Sequence, residues 1–391
     1  MMPATRPRPA AELKAAQDWI RARAADVEGD LRLLAAAESP SLDVTLLAQC
    51  LDVLLLLLDE RLGTPERIQR FPGGIHGDVA VVDFPGESPS PPVVVLCHYD
   101  TVWEAGTLAE WPFARDGDLI TGPGVFDMKA GCIQGIWAVR AARECGLPLP
   151  PVRFVLTGDE EIGSPFSRPI IERQTEDAAL VLVLEPGADG AAKVARKGIG
   201  RLHIEVEGVA AHAGLDYWAG TSAIDELARA VLAVHALSDP ATGSTFNVGT
   251  VSGGTRANVV AESAEAEVDV RIERLSEMPR IEQQLAEIAP QRQEATMRLR
   301  LVWDRPPMEE DAATLEPFAL ARETAQGLGR DLGAARVGGA SDGNYVAARG
   351  IPTLDGMGAV GSGAHARTEH IHLPRTIDQI ALIAGVISAL A

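Results

Sequence analysis

Cysteine is scarce in this chain. Four occur among 391 residues (Cys50, Cys97, Cys132 and Cys145), and none share a paired spacing. That excludes a disulfide framework and leaves reduced thiols in a cytoplasmic setting as the expectation. Bases are also few, 35 against 55 acids, for a formal net charge of −20. Such an acidic excess argues against nucleic acid or an anionic membrane surface as a partner. It also means that an anionic substrate needs a local basic pocket. Long apolar runs are missing too. Leu51–Leu58 is the most apolar, ends at Asp59 and Glu60, and reads as the buried face of a helix over about 42–61. The first twenty residues hold arginines but no apolar signal-peptide core.

What is present is an alternation of short strands and helices. Val93–Cys97 is a continuous apolar run that ends in His98, Tyr99 and Asp100. Met128–Cys145 reads as a helix closed by Gly146 and Pro148. Arg153–Thr157 and Leu180–Leu184 are further apolar strands, and Ser164-Pro165 reads as the cap and first turn of another helix. This is the pattern of an α/β/α domain with helices on both faces of a mostly parallel sheet, with its sites at the strands' carboxyl ends. From Gly200 the order becomes strand, helix, strand, strand, helix, strand, that of a ferredoxin-like α+β sandwich. Ala264–Ile272 alternates cleanly between apolar and charged residues. The α/β pattern resumes after Pro306-Pro307. The expected domains are therefore 1–197 with 306–391, discontinuous, and an inserted 198–305.

Chemistry-bearing residues cluster where strands end. His98 suits either a core histidine or a ligand. Asp100, two residues on, would face the same way and could orient the imidazole. Asp127 lies in Gly122-Pro123-Gly124-Val125-Phe126-Asp127-Met128-Lys129, where glycines allow a tight backbone around an acid at a helix start. It reads equally as a helix cap. The glycine spacing fits neither common nucleotide-phosphate loop. Asp159-Glu160-Glu161 ends one apolar strand and Glu185 ends the next. Adjacent carboxylates there repel one another unless cations or water take up their charge. His365, His370 and His372 lie near the C-terminus, with glycines before His365; His370 and His372 read as structural. Nitrogen and oxygen donors without cysteine suit zinc, cobalt or manganese in a hydrolytic site better than a structural zinc finger.

Five ordered motifs carry a resemblance: His98-x-Asp100, Gly122–Lys129, Glu160-Glu161, Glu185-Pro186-Gly187 and Gly363-x-His365. Together they resemble the co-catalytic two-zinc exopeptidases and deacylases, in particular glutamate carboxypeptidases of the glucarpidase (carboxypeptidase G) type. The resemblance implies that Asp127 bridges two Zn2+ ions, for which Co2+ or Mn2+ could substitute. It implies His98 and Glu185 on one ion, Glu161 and His365 on the other, Asp100 as orienter and Glu160 as general base. It also implies a cis peptide after Asp127.

In the inserted domain, which the resemblance makes a lid and dimerisation domain, Ala211-His212-Ala213-Gly214 is similar to the family's S-H-x-G motif, with alanine in place of serine. Its histidine stabilises the oxyanion in a partner subunit. Asn258 and Arg271 match residues that hold the substrate's terminal carboxylate. Lys193 and Arg305 fall where the glucarpidase type reads a glutamate side chain, and Ser341–Asn344 resembles a loop supporting the substrate carboxylate. The implied protein is a homodimeric hydrolase. It releases a C-terminal amino acid, glutamate first, from a short peptide or N-acyl, folate-like substrate with a free carboxylate. A deacylase of small N-acyl amino acids, a non-catalytic relative and a nucleotide-binding α/β protein are the alternatives.

Overall fold

The computed structural model describes residues 5–87 and 90–391, which fall into two compact units. One comprises the chain up to Ala195, Glu310–Val337 and Ser341–Ala391, and the other Arg196–Glu309 with Gly338–Ala340.

The first unit is organised by an eight-stranded sheet. Its order is Arg67–Phe71, Val79–Phe84, Val152–Thr157, Val93–His98, Leu180–Val183, Thr353–Asp355, Ala192–Arg196 and Ala334–Val337. Val93–His98 runs parallel to both its neighbours, and Leu180–Val183 runs parallel to Thr353–Asp355. All six residues of Val93–His98 are buried. Successive side chains point to opposite faces. Val93, Val95 and Cys97 join Ala80, Val82, Phe154 and Leu156 in the larger core, together with residues of helices Ala130–Glu144 and Leu373–Ser388. Val94 and Leu96 join Val79, Val81, Val155 and Val183 in a second core with Ile171 and Val346. A strand covered on both faces has no polar alternation, so its sequence is a plain apolar run.

The leucine-rich run lies in helix Val44–Leu62, which buries Leu47, Cys50, Leu51, Leu54, Leu57, Leu58 and Leu62. Asp43 caps it by accepting the amides of Thr45 and Leu46. Among the described residues no helix is long and apolar enough to cross a membrane.

Two local readings change. Ser164-Pro165 does not cap a helix. Ser164 has φ 57 and its hydroxyl donates to the Asp342 carboxylate, while the helix starts at Arg168 with Pro169 in its first turn. The long-range bond to Asp342 overrides the local capping signal. The helix expected from Met128 starts later, at Ala130, after a wide turn over Val125–Lys129. That delay keeps Asp127 out of the helix.

A small four-stranded sheet positions the C-terminal histidines. Its order is Gly361–Ser362, His370–His372, Leu119–Thr121, Ala114–Asp116. His370 pairs with Thr121 and Ile371 with Ile120. The segment after His365 therefore lies against the segment that enters the Asp127 loop.

In the second unit four antiparallel strands lie in the order Thr245–Gly253, Ser263–Ile272, Gly198–Glu207, Thr296–Arg305. Ala264, Ala266, Val268, Val270 and Ile272 pack on helices Ala223–His235 and Glu277–Ala286 through Leu227, Ala230, Val234 and Ile281. Glu265 and Glu267 lie on the opposite, exposed face. This small antiparallel-sheet domain with two helices is the expected sandwich.

Candidate active site

Five segments of the first unit, carrying His98, Asp127, Glu160 with Glu161, Glu185 and His365, converge near the carboxyl ends of its parallel strands. His98 closes one strand, and the turn Glu160–Ile162 follows the next. Glu185 follows Leu180–Val183. Its backbone carbonyl accepts the amide of Gly358, and a Cβ on Gly358 would stand 2.0 Å from the Leu184 oxygen. Glycine is required at that crossing.

Asp127 stands between two imidazoles. His98 Nε2 lies 3.2 Å from its Oδ1 and 3.4 Å from Glu185 Oε1. His365 Nε2 lies 3.5 Å from Asp127 Oδ2 and 3.1 Å from Glu161 Oε2. Single ligand atoms of His98, Asp127 and Glu161 fall within 4.8 Å of one another, as do those of His98, Glu160 and Glu185. The peptide bond between Asp127 and Met128 is cis, and His365 itself has φ 61.

The surroundings hold these groups in place. His98 Nδ1 lies 3.0 Å from the Asp100 carbonyl oxygen and 3.4 Å from its carboxylate. The backbone of Asp100 is thus the nearer partner, where the sequence suggested its side chain. The carboxylate of Asp100 has a second task. It accepts the Glu160 and Glu161 amides at 3.2 and 3.1 Å and the Ser41 hydroxyl at 2.8 Å. It therefore links the histidine strand to the double-glutamate turn.

The electrostatics are those of a site short of positive charge. Burial works against protonation of His98, but Asp100, Asp127 and Glu185 outweigh it and hold the imidazole well above its usual range. Contacts with Asp127 and Glu161 raise His365 to about 10. Desolvation works to raise the Asp127 carboxyl, yet the two imidazoles hold it well below the usual carboxylate range. Burial pushes Glu161 up. Its Oε1 is buried with no hydrogen-bond partner. A buried acceptor without a donor costs on the order of 1–3 kcal/mol. Oxygen and nitrogen donors, an excess of carboxylates and an orphaned buried oxygen fit a pair of divalent cations.

Two further groups escaped the sequence. Ser41 has no local signal at all. Glu369 sits inside the histidine-rich segment, fully buried against the Asp127 loop. Only its placement directly before the His370–His372 strand could have marked it.

Ser341 is fully buried and bonded within the fold. Its hydroxyl donates to Asp355 at 2.6 Å and its amide to Asn344 Oδ1 at 2.9 Å. Lys193 is half-buried, opposite Asp355 in the sheet.

The other predicted residues belong to the second unit. His212 is exposed on a two-residue strand, and its Nδ1 accepts the amides of Gly214 and Leu215, both at 3.1 Å. Those bonds leave the neutral ring's hydrogen on Nε2. Asn258 is exposed, with its carbonyl accepting the Ala213 amide. Arg271 forks onto Asp269 at 2.8 and 2.9 Å. Arg305 is buried at the end of its strand.

Residues 94–390 match the model of peptidase family M20/M25/M40. Carboxypeptidase G2 of Pseudomonas sp. (strain RS-16) is 30% identical over 291 residues, covering 72% of this chain and 69% of that protein. Aminopeptidase PepT of Bacillus cereus superposes with a TM-score of 0.78 at 21% identity, over 93% of this chain and 98% of its own. The M20 family metallo-carboxypeptidase Sso-CP2 of Sulfolobus solfataricus superposes with a TM-score of 0.70 at 14% identity, over 93% and 98%. The fold is theirs, and with the family match over most of its length the chain is a metallopeptidase of the M20/M25/M40 family.

Proposed function

We propose that this metallopeptidase releases a C-terminal amino acid, glutamate first, from a short peptide or N-acyl, folate-like substrate. The observation that carries the reading is the double engagement of Asp127, with His98 at one oxygen and His365 at the other. Asp127 is then shared, with His98 and Glu185 completing one cation position and Glu161 and His365 the other. When bound, two zinc ions, with cobalt or manganese as substitutes, would supply Lewis acidity and lower the pKa of a water to about 7.

The chain's own residues do the rest. Glu160 takes a proton from the attacking water and returns it to the leaving amine. Its amide is tied to Asp100, which keeps the carboxylate facing the ligand cluster. His212, with its Nε2 hydrogen available, acts as an oxyanion donor. Following the family pattern, it serves a neighbouring copy, the inserted 198–305 segment being the lid and dimerisation domain of a homodimer. Arg271 and Asn258 take the terminal carboxylate. A guanidinium oriented by Asp269 suits bidentate capture. Lys193 and Arg305 read the glutamate side chain. Ser341, whose own bonds are internal, acts by shaping the loop up to Asn344. Four free cysteines agree with a cytoplasmic location.

A panel of N-acyl amino acids tests the substrate. N-acyl glutamate is expected to be preferred over N-acyl alanine, and a C-terminal amide to be refused. Equal rates on glutamate and alanine substrates remove the glutamate assignment and leave a deacylase of small N-acyl amino acids.

A further inference from the structure

We infer that Glu369 is a positioning residue of this site, a clamp that sets Asp127 and His365 relative to one another. The inference rests on the reading of those two residues as cation ligands.

Its carboxylate is completely buried. Oε1 accepts the amides of Phe126 at 2.8 Å and Asp127 at 3.1 Å. Oε2 accepts the Gly124 amide at 3.1 Å and the Trp103 indole N–H at 2.8 Å. Each oxygen therefore takes two donors, and the group is used to its full capacity as an acceptor. Three of the four donors belong to the backbone that carries Asp127.

The other end of the clamp is His365, four residues earlier. The amide of Ala366 bonds Gly363 and that of Glu369 bonds Ala366, which closes the intervening turn. A Cβ on Gly363 would stand 2.7 Å from the Thr368 carbonyl. His370 is then locked opposite Thr121 in the small sheet. The segment has little freedom between the imidazole and the clamp. Trp103 adds a third strand of chain to the cluster, with its ring 5.0 Å from that of Trp111.

A carboxylate is the only side chain that suits this place. An amide of the same shape would turn an NH2 group toward two N–H donors. The consequence would fall on Asp127, which both cation positions share, and on His365, which belongs to the second alone, since Glu369 touches the loop of one and the turn of the other. Neither Glu185 nor His98 depends on it directly. The expected signature is a loss at both cation equivalents, larger at the one that His365 completes.

The test titrates chelator-stripped full-length protein with zinc by calorimetry, alongside steady-state kinetics. Glu369→Gln is expected to weaken the more affected zinc equivalent about 10–100-fold, the range for outer partners of metal ligands, and the other by less. At subsaturating zinc kcat falls in proportion, and KM stays within about 3-fold. Trp103→Phe removes one donor of four and is expected to weaken the same equivalent by about 2–5-fold. It serves as the readout if Glu369→Gln does not fold. Leu382→Ala, a core truncation, lowers thermal stability and is expected to leave both equivalents at parent affinity. Parent-like binding in Glu369→Gln, or in Trp103→Phe if only that variant folds, overturns the clamp, as does an equal loss in Leu382→Ala. Asp127→Asn separates this from the ligand reading. If it keeps both equivalents, the ligand assignment falls first; if it loses them while the Glu369 variant does not, only the clamp falls.

Discussion

Asp100 reaches two residues that the chain separates by more than one strand: its backbone oxygen lies 3.0 Å from His98 Nδ1, and its carboxylate accepts the Glu160 amide at 3.2 Å. One buried residue thus fixes both the ring that faces Asp127 and the turn that carries the proposed base. The imidazole and the base are oriented together, and a change at either is felt through Asp100.

The first prediction concerns the base. Glu160→Gln keeps the size of the side chain and removes its proton affinity. Hydrolysis is expected to fall by about 10²–10⁴-fold, with the zinc content of the purified protein unchanged. Full activity in this variant would reassign the base.

The second concerns pH. In the cation-free protein His365 binds its proton up to about 10, whereas an unperturbed histidine titrates near 6.5. Its folded value is raised, so its contribution to stability is complete below about 6.5 and disappears as pH rises through about 10. Thermal denaturation of chelator-treated protein is expected to show that loss across this window. Zinc binding has the opposite slope, because the cation displaces the proton. Calorimetry at pH 7 in buffers of different ionisation heat should record proton release. A cation affinity independent of pH between 6 and 8 would contradict it.

The third addresses His212. Its replacement by alanine is expected to lower kcat about 10²–10³-fold, as for other oxyanion donors, with little change in KM and none in zinc binding. If the histidine serves a neighbouring copy, mixing inactive Glu160→Gln and His212→Ala proteins under subunit exchange restores part of the activity. Failure to recover any, with mixed dimers demonstrated, would place the two groups in one chain. A fully active monomer by light scattering would dismiss the shared site.

The fourth addresses Gly131 in helix Ala130–Glu144. A Cβ there would lie 2.1 Å from the Leu184 carbonyl oxygen, immediately before Glu185. Gly131→Ala is expected to cost about 1–3 kcal/mol by overpacking and to weaken zinc binding by moving Glu185. Chemical denaturation and zinc titration read the two effects separately. An unchanged zinc affinity would show that the strand end yields without disturbing its ligand.

Much of this arrangement was legible in the residues. His98, Glu161 and Glu185 each follow a run of apolar residues, because strands buried on both faces carry their polar groups only where they emerge. The inserted sandwich was equally readable, since one face of Ala264–Ile272 is uniformly apolar and the other charged. What stayed hidden depends on contacts across the chain. Ser164 looks like a cap until the Asp342 carboxylate is seen beside it. Nothing local distinguishes Ser41 from any loop serine, or Glu369 from a solvated acid. The bond of His98 to the Asp100 carbonyl, rather than to its carboxylate alone, is a backbone detail that residue spacing does not encode.

The small sheet has a consequence for biosynthesis. His370 reaches Thr121 only after the whole chain between them has been made. A growing polypeptide emerging from the ribosome holds Asp127, Glu160, Glu161 and Glu185 long before it holds His365. Until that segment docks, the proposed second cation position is incomplete. On the proposed ligand set, hydrolytic competence therefore waits for that docking, however early the other ligands are in place.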